Sequence, residues 1–209
     1  MDVDGDVVEY IAIRHDITEL EETKQQLRNI NKAMKHKVDE LYSMTNSLEE
    51  KAYKDNLTGI NNRENFEKFF EVALNNATRN KEALSLLIFD IDHFKLINDT
   101  FGHQAGDIIL IEIATLISSK IKNTDVFARW GGEEFVILLP STSVNDAFTL
   151  AENLRILITK NIEDKLTVSF GVAQFEEGED KINFFERADE ALYKAKKMGR
   201  NKVEVYKKS

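Results

Sequence analysis

The chain has no cysteine among its 209 residues, and this absence excludes disulfide bonds, thiolate nucleophiles and cysteine-ligated metals. It has no apolar run near the ~18 residues of a membrane span, and its acidic N-terminus lacks the apolar core of a signal peptide. Basic residues do not offset a net charge of −9, which argues against a nucleic-acid-binding surface. We therefore expect a cytoplasmic protein without nucleic-acid or membrane contacts, although a longer parent protein could carry a membrane anchor.

Hydrophobic residues make up 42% of the chain, which is enough for a sizeable core. The length fits one catalytic domain of about 150 residues with an appendage. Helical and strand-like patterns alternate from residue 63 onward, and this order predicts an α+β, ferredoxin-like fold in which helices flank a mixed central sheet. The predicted helices cover 63–77, 104–121, 144–160 and 182–197, and the predicted strands cover 84–91, 126–130, 135–139, 166–174 and 203–206.

The stretch Gly131-Gly132-Glu133-Glu134-Phe135 lies between two apolar, β-prone runs, the second of which ends at the only proline, Pro140. Glycines there suit a tight hairpin, where positive φ or the close approach of a ligand excludes a Cβ. A polyphosphate can lie against such bare backbone, but the two glutamates would repel it unless a cation intervenes, so the pattern suggests Mg²⁺. An ordinary hairpin with solvated glutamates is the alternative for this stretch taken alone.

A second pair of carboxylates, Asp90 and Asp92, follows a continuous apolar run over 84–89 that is typical of a strand buried on both faces. In an extended chain both carboxylates project to one face. Metal-dependent nucleotidyl chemistry often places its ligands at such a strand exit, whereas the simpler interpretation is the start of a solvated loop. A strand-end carboxylate and a hairpin carboxylate with a nearby lysine, Lys95, are together far more specific than either acidic site alone.

Five ordered motifs resemble those of the GGDEF family of diguanylate cyclases, and the similarity covers about residues 53–207. The first motif spans 55–63 and the last spans 188–201. The central motifs are Asp90-x-Asp92-x-Phe94-Lys95-x-x-Asn98-Asp99, Gly102-His103-x-x-Gly106-Asp107 and Arg129-x-Gly131-Gly132-Glu133-Glu134-Phe135. The resemblance implies the palm fold of nucleotide cyclases and polymerases, and the condensation of two GTP into cyclic di-GMP and two pyrophosphates.

The resemblance also implies a metal site and catalytic groups. Asp90, the main-chain carbonyl of Ile91 and Glu133 are expected to bind two Mg²⁺ per active site, with Mn²⁺ as an alternative. Glu133 is also the expected general base, and Glu134 could share either role. Lys95 is expected to stabilise negative charge in the transition state, with a solvated loop lysine as the alternative.

The substrate-binding residues that the resemblance implies are Phe94, Asn98, His103, Asp107, Lys196 and Arg200. The Asp107 carboxylate can accept from the N1 and N2 hydrogens of guanine, which adenine lacks, so it should exclude ATP. Main-chain amides of Phe94 and Lys95 are expected near the phosphates. Lys196 and Arg200 can both reach one terminal phosphate. Simpler roles stay open, namely helix-end charges for Asp107, Lys196 and Arg200 and a structural role for His103.

One departure from the family pattern concerns product inhibition. Many members carry an Arg-x-x-Asp inhibition site shortly before the two glycines, and here that position reads Lys122-Asn123-Thr124-Asp125. Lysine cannot make the planar two-pronged contact of arginine with a guanine edge or a phosphate. We therefore predict that Lys122 and Asp125 form a degenerate site with weak or absent product inhibition.

The N-terminal part predicts two further segments. Residues 1–17 resemble the last strand of a PAS sensor domain, so we expect the chain to be part of a longer sensor protein. Residues 18–52 predict a coiled coil, most simply a parallel dimer, with a single helix packed on its own domain as the alternative. The heptad positions are Leu20, Leu27, Met34, Leu41 and Leu48, with Ile30 and Met44 in the partner seam. Residues 53–209 form the predicted catalytic domain.

Three functional interpretations follow. In the first, an active diguanylate cyclase works as a homodimer, because one domain holds one GTP, and an N-terminal sensor acts through residues 18–52 on how the catalytic domains face each other. In the second, a catalytically silent module binds GTP or a protein partner, but Asp90 and Glu133 are both retained. In the third, the cyclase also accepts other purines, and Asp107 argues against this.

Overall fold

The computed structural model describes residues 18–162 and 166–207. Its elements, in chain order, are α1 (Thr18–Tyr53), α2 (Arg63–Asn80), β1 (Leu84–Ile91), α3 (Phe94–Phe101), α4 (His103–Ser118), β2 (Val126–Gly131), β3 (Glu134–Pro140), α5 (Val144–Asn161), β4 (Val168–Gln174), α6 (Lys181–Lys197) and β5 (Val203–Val205). The predicted PAS strand over 1–17 lies outside the described residues.

The five strands form one sheet in the order β2-β3-β1-β4-β5. Strand β1 lies at its centre and pairs antiparallel with β3 and β4, while β2 pairs antiparallel with β3. Strand β5 adds to β4 in the parallel direction, which makes the sheet mixed. The predicted α+β, ferredoxin-like fold with a mixed central sheet is therefore confirmed.

Helices cover both faces of the sheet because the central strand is apolar on both. All eight residues of β1 are buried. Leu87 and Phe89 pack with α4 and α5 on one face, and Leu86 and Ile88 pack with α2 and α6 on the other. Since alternate residues of a strand point to opposite faces, one apolar run supplies both cores. The apolar run therefore leads to Asp90 on a sheet that helices cover on both faces.

Helix α3 was absent from the sequence prediction, which placed no element between β1 and α4. It is short, with eight residues, and begins after His93, whose φ of 59° is left-handed and whose side chain makes no capping hydrogen bond. Without a capping residue or a long apolar period, the sequence carries none of the usual start signals. Gly102, with φ of 84°, separates α3 from α4, so the two helices meet at an abrupt turn.

The predicted N-terminal helix is confirmed as α1, which is continuous over 36 residues. Its contacts divide the chain into one unit through Leu48 and a second from Glu49 onward. The apolar heptad side chains on the first unit are more than half exposed, namely Leu20, Leu27, Ile30, Met34, Leu41 and Met44. Pairing of this stripe with another helix stays a prediction. No helix within the described ranges is both long enough and apolar enough to cross a membrane.

Candidate active site

Three carboxylates gather where β1 and β3 meet the hairpin. Asp90, the next-to-last residue of β1, stands opposite Glu134, the first residue of β3, in the antiparallel register. Glu133 lies in the turn just before it, after Gly132, whose φ of 53° is left-handed. Asp90 is buried, whereas Glu133 and Glu134 are half-buried. Side chains of directly opposed residues share a face of the sheet, so Asp90 and Glu134 lie on the same side.

The electrostatics of this cluster favour a cation. Burial raises the pKa of Asp90 to about 6, the neighbouring Lys196 ammonium works in the opposite direction, and the charges of Glu133 and Glu134 add to the increase. The Nζ atom of Lys196 lies 2.9 Å from Asp90 Oδ2. One ammonium thus faces three carboxylates, and the excess negative charge at a partly buried place is the condition in which a divalent cation is stabilised.

The residues fit a metal ion only in part. Across residues 18–162 and 166–207, no group of three or more His, Cys, Asp or Glu side chains is arranged to hold one. The predicted ligand set is smaller: Asp90, Glu133 and the main-chain carbonyl of Ile91, which ends β1 with its side chain buried. Since Mg²⁺ usually keeps several oxygen ligands from water or phosphate, two carboxylates and a carbonyl are compatible with it.

Phe94 and Lys95 form the first turn of α3. The Phe94 side chain is buried in the core, so only its main chain is available to a ligand. The amides of Leu96 and Ile97 already donate to the His93 carbonyl. The amides of Phe94 and Lys95 precede them, and amides at the start of a helix have no acceptor within that helix. The Lys95 side chain is exposed, as a group that meets substrate would be.

The residues predicted to recognise guanine lie on two adjoining helices. Asn98 is half-buried on α3, and His103 and Asp107 are exposed on α4. The Asn98 side chain lies directly against Gly106, because a Cβ added there would fall 2.0 Å from Asn98 Oδ1. Gly106 therefore makes room for the Asn98 amide, next in sequence to Asp107. This close contact explains why the motif has a glycine at position 106.

Gly106→Ala is expected to weaken GTP binding about tenfold, because the new methyl group displaces the Asn98 amide, which is predicted to form a hydrogen bond with the base. The new methyl group would also lie 3.0 Å from Phe94 Cζ, and the higher helix propensity of alanine, worth about 1 kcal/mol, works against the cost of this close contact. Calorimetric titration of Gly106→Ala, Asn98→Ala and the double variant measures this. If the double variant binds GTP much more weakly than Asn98→Ala, the glycine acts by some other route.

Lys196 and Arg200 are placed differently from one another. Lys196, on α6, forms the ion pair with Asp90, which the sequence analysis did not foresee. Arg200 follows the helix, is exposed, and has a left-handed φ of 61°. The two cations therefore belong to the same end of α6, with Lys196 at the carboxylates and Arg200 on the following turn.

Arg129 connects the hairpin that carries Glu133 to Asp55 through side-chain hydrogen bonds. Its Nη1 lies 3.2 Å from Asp55 Oδ1, and its Nε donates to the Gly132 carbonyl oxygen at 2.8 Å. Asp55 also accepts from the main-chain amide and the hydroxyl of Thr58. Asp55 begins the first of the five motifs, but the sequence alone predicts no role for its side chain. Asp55 and Arg129 are 74 residues apart, so no local sequence pattern predicts their ion pair, and only the tertiary structure shows it.

Asp55→Asn is expected to lower the free energy of unfolding by about 1–2 kcal/mol at pH 7. Burial alone would raise the pKa of Asp55, but the Thr58 hydrogen bonds and the Arg129 charge outweigh it and lower the pKa below 3.8. The ionised carboxylate therefore stabilises the fold above pH 3.8, and this contribution is lost as the pH falls through the folded-state pKa. Denaturant titrations at pH 7 and pH 3 measure it, with exposed Asp189→Asn as the control. An equal difference at both pH values would contradict the ionic origin.

Lys122 and Asp125 face each other across the turn between α4 and β2. The Lys122 main-chain amide donates to Asp125 Oδ2 at 2.9 Å, and the Asp125 amide returns a bond to the Lys122 carbonyl. Burial raises the pKa of Asp125, although the Lys122 amide opposes this. Asp125 Oδ1 is buried with no hydrogen-bond partner in the described part of the chain. Both residues line a shallow cavity of about 270 Å³.

Comparisons with known proteins identify the family to which the chain is similar. The family model described as diguanylate cyclase, GGDEF domain, matches residues 52–202. Diguanylate cyclase DgcM of Escherichia coli (strain K12) is 40% identical over 171 residues, which are 80% of this chain and 42% of that protein. A diguanylate cyclase of Vibrio cholerae serotype O1 is 35% identical over 212 residues, covering 99% of this chain and 60% of the relative. The chain thus spans about half the length of these relatives.

Solved structures show the same likeness. The coiled coil and GGDEF domain of DgcB from Caulobacter crescentus, crystallised in complex with c-di-GMP, superposes with a TM-score of 0.82 at 30% sequence identity. The match covers 86% of this chain and 98% of that one.

Proposed function

The chain belongs to the GGDEF family of diguanylate cyclase domains, and from this premise we propose that residues 53–209 condense two GTP into cyclic di-GMP with release of two pyrophosphates. The observation that carries the proposal is the convergence of Asp90, Glu133 and Glu134 beside Lys196 at the exit of the central strand. Carboxylates that neighbour each other at a partly buried place suit a reaction in which phosphate charge and a divalent cation meet.

Asp90, Glu133 and the Ile91 carbonyl would hold Mg²⁺, two ions per site, with Mn²⁺ as a substitute. When bound, the ions supply charge neutralisation for the attacking and leaving oxygens. Glu133, in the hairpin turn, accepts the proton of the 3′-hydroxyl that attacks the α-phosphorus, and Glu134 supports either role.

The cationic residues act on the phosphates. Lys95 offers its exposed ammonium to the negative charge that develops in the transition state, and the first amides of α3 bind phosphate oxygens. Lys196 and Arg200 bind the terminal phosphates. Lys196 pairs with Asp90 in the free chain, and its ammonium carries three donors, so phosphate oxygens would compete with the Asp90 carboxylate for it.

Guanine is selected by groups that adenine cannot satisfy. Asp107 accepts from the N1 and N2 hydrogens of the base, the Asn98 amide bonds the base edge, and His103 adds a contact at the start of α4. A site built to accept two hydrogens leaves its carboxylate unpaired when adenine is bound, so ATP is rejected strongly.

Two facing copies complete the reaction. Each domain holds one GTP, so the two nucleotides have to lie antiparallel between two domains, and the coiled coil through residues 18–52 keeps those domains together. The exposed heptad side chains of α1 support this pairing. A PAS-type sensor on the N-terminal side, in a cytoplasmic protein, controls the geometry through the same helix.

The proposal is tested by the stoichiometry of turnover. The purified chain, incubated with GTP and Mg²⁺, is expected to release two pyrophosphates for each cyclic dinucleotide formed. Pyrophosphate is followed by a coupled enzyme assay, and the nucleotide by chromatography. A chain that binds GTP and dimerises but releases no pyrophosphate is instead the silent signalling module.

Product inhibition is expected to be weak or absent. Lys122 offers one point charge where arginine would offer a planar fork, and one of the two Asp125 oxygens, Oδ2, is already engaged by the Lys122 amide. Titration of the chain with cyclic di-GMP is therefore expected to show no high-affinity binding at this turn. Lys122→Arg should gain affinity about tenfold or more, since a second charge-assisted hydrogen bond becomes available. Sub-micromolar binding by the parent chain that Lys122→Ala abolishes would contradict the prediction.

A further inference from the structure

The second aspartate after the central strand, Asp92, is engaged in a different way from Asp90. It is buried, and its carboxylate accepts three hydrogen bonds. Ser169 Oγ donates to Oδ1 at 2.7 Å, while Thr167 Oγ1 at 2.8 Å and the Asn201 main-chain amide at 3.0 Å donate to Oδ2. With three protein donors on its two oxygens and a buried side chain, the Asp92 carboxylate is already held within the protein and keeps about one acceptor site for any other partner.

The main chain that Asp92 holds is unusual. Gly199, with φ of 105°, follows Met198, the C-cap residue of α6, and the Arg200 amide donates to the Ala195 carbonyl as in a Schellman motif. The next two residues stay left-handed, with φ of 61° at Arg200 and 46° at Asn201. Asparagine tolerates this region, but arginine rarely adopts it, so the conformation of Arg200 persists only where surrounding contacts determine it.

Asn201 is held from two sides. Its amide donates to Asp92, and its side-chain Oδ1 accepts from Arg155 Nη1 at 2.7 Å. Arg155, on α5, is itself fixed by Glu152, whose Oε2 accepts from both Nε and Nη2. These contacts hold the main chain after Arg200, and the bond from the Arg200 amide to the Ala195 carbonyl holds the main chain before it. The position of the Arg200 Cα is therefore fixed, and this position limits where the guanidinium can reach.

We propose that Asp92 is a positioning residue. Its carboxylate holds the left-handed turn at Asn201, and this turn sets Arg200 for binding the terminal phosphate. The inference rests on the proposed function, in which Arg200 binds phosphate. Lys196 does not depend on the turn, because it lies within α6. Asp92 thus acts on substrate through Arg200 and makes no contact with metal or nucleotide itself.

Two replacements of Asp92 distinguish its role as a hydrogen-bond acceptor for the turn from a role that depends on its negative charge. Asparagine can keep an oxygen toward Asn201 and Thr167 and turn its amide group toward Ser169, whose hydroxyl can rotate to accept. Asp92→Asn therefore preserves the turn and is expected to keep GTP affinity within about threefold, because the Asn201 amide and the Thr167 hydroxyl both retain their acceptor. Asp92→Ala leaves the Asn201 amide without an acceptor and should weaken GTP binding on the order of tenfold.

The test is a double-variant cycle on the full chain, with binding of the α,β-methylene analogue of GTP and of GMP measured by calorimetry. Asp92→Ala is expected to weaken the triphosphate about tenfold and GMP hardly at all, and to add nothing to Arg200→Met. Arg155→Met, which loosens Asn201 from the surface of α5, is expected to show a smaller effect of the same kind, and it keeps the test intact should Asp92→Ala fail to fold.

The outcomes are distinguishable. Equal losses in Asp92→Asn and Asp92→Ala would show that the charge matters, and additive losses in the cycle would show that Asp92 or Arg155 does not act through Arg200; either overturns this inference alone. A parent chain that binds neither nucleotide overturns the proposed function, and the inference falls with it.

Discussion

Glu133→Gln is expected to lower the rate of cyclic di-GMP formation about 10³-fold or more, because one residue supplies both the proton acceptor and a ligand for the divalent cation. Glutamine has the same shape and reaches the same place in the hairpin turn, so the fold is expected to hold. In the parent chain the negative charge of Glu133 contributes to the raised pKa of Asp90. Glu133→Gln removes that charge, so the pKa of Asp90 should fall and the carboxyl should ionise more readily.

The rate is measured as product formed per chain at saturating GTP, with circular dichroism and GTP binding measured in parallel. Glu204→Gln, a half-buried glutamate on the edge strand β5, is the matched control and should keep full activity. Glu134→Gln, opposite Asp90, separates the two hairpin carboxylates. If Glu133→Gln kept more than about a tenth of the parent rate, neither role assigned to the side chain would stand.

Replacing Leu27 and Leu41 with lysine is expected to lower activity per chain about 10²- to 10³-fold at micromolar protein. Both side chains are exposed on the apolar stripe of α1, and four charges in a two-helix seam would prevent pairing. A short tether keeps two domains at an effective concentration on the order of millimolar, so untethered domains at about 1 µM meet correspondingly less often. The chemical groups of the active site are unchanged.

This loss should be recovered as the concentration of protein rises, because collision replaces the tether. Sedimentation gives the oligomeric state, and product per chain is measured from about 1 µM to 1 mM. Lysine in place of Gln25 and Asp39, on the opposite side of the same helix, is the control for charge and should change neither quantity. A double variant that is monomeric and yet turns over at the parent rate, independent of concentration, would contradict the requirement for two facing domains.

The fold was largely predictable because its central strand is unusual in sequence. The run from Leu84 to Ile91 is apolar on both faces, and the structure buries every residue of it between two cores. The hairpin and the long helices were foreseen for similar local reasons. Helix α3 was not, since a left-handed residue without a capping side chain starts it.

The candidate site was predictable as a set of residue types but not as a set of contacts. The strand end and the glycine hairpin pointed to two pairs of carboxylates along the chain, and the resemblance to the GGDEF family singled out Asp90 and Glu133. The ion pair of Lys196 with Asp90 joins the last helix to the first strand. The bonds from Asn201 to Asp92 and from Arg129 to Asp55 span 109 and 74 residues. Such contacts depend on which segments the tertiary fold brings together, and no local sequence pattern predicts this arrangement.

The most direct measurement is the mass of the dinucleotide that the parent chain makes from an equimolar mixture of GTP and ATP with Mg²⁺. Asp107 and Asn98 should admit only guanine, and the facing sites should join two such nucleotides. Mass spectrometry is therefore expected to find cyclic di-GMP as the single cyclic product. Mixed or adenine-only cyclic dinucleotides would contradict the base selection, and no cyclic product from a chain that binds GTP would contradict the proposed enzyme.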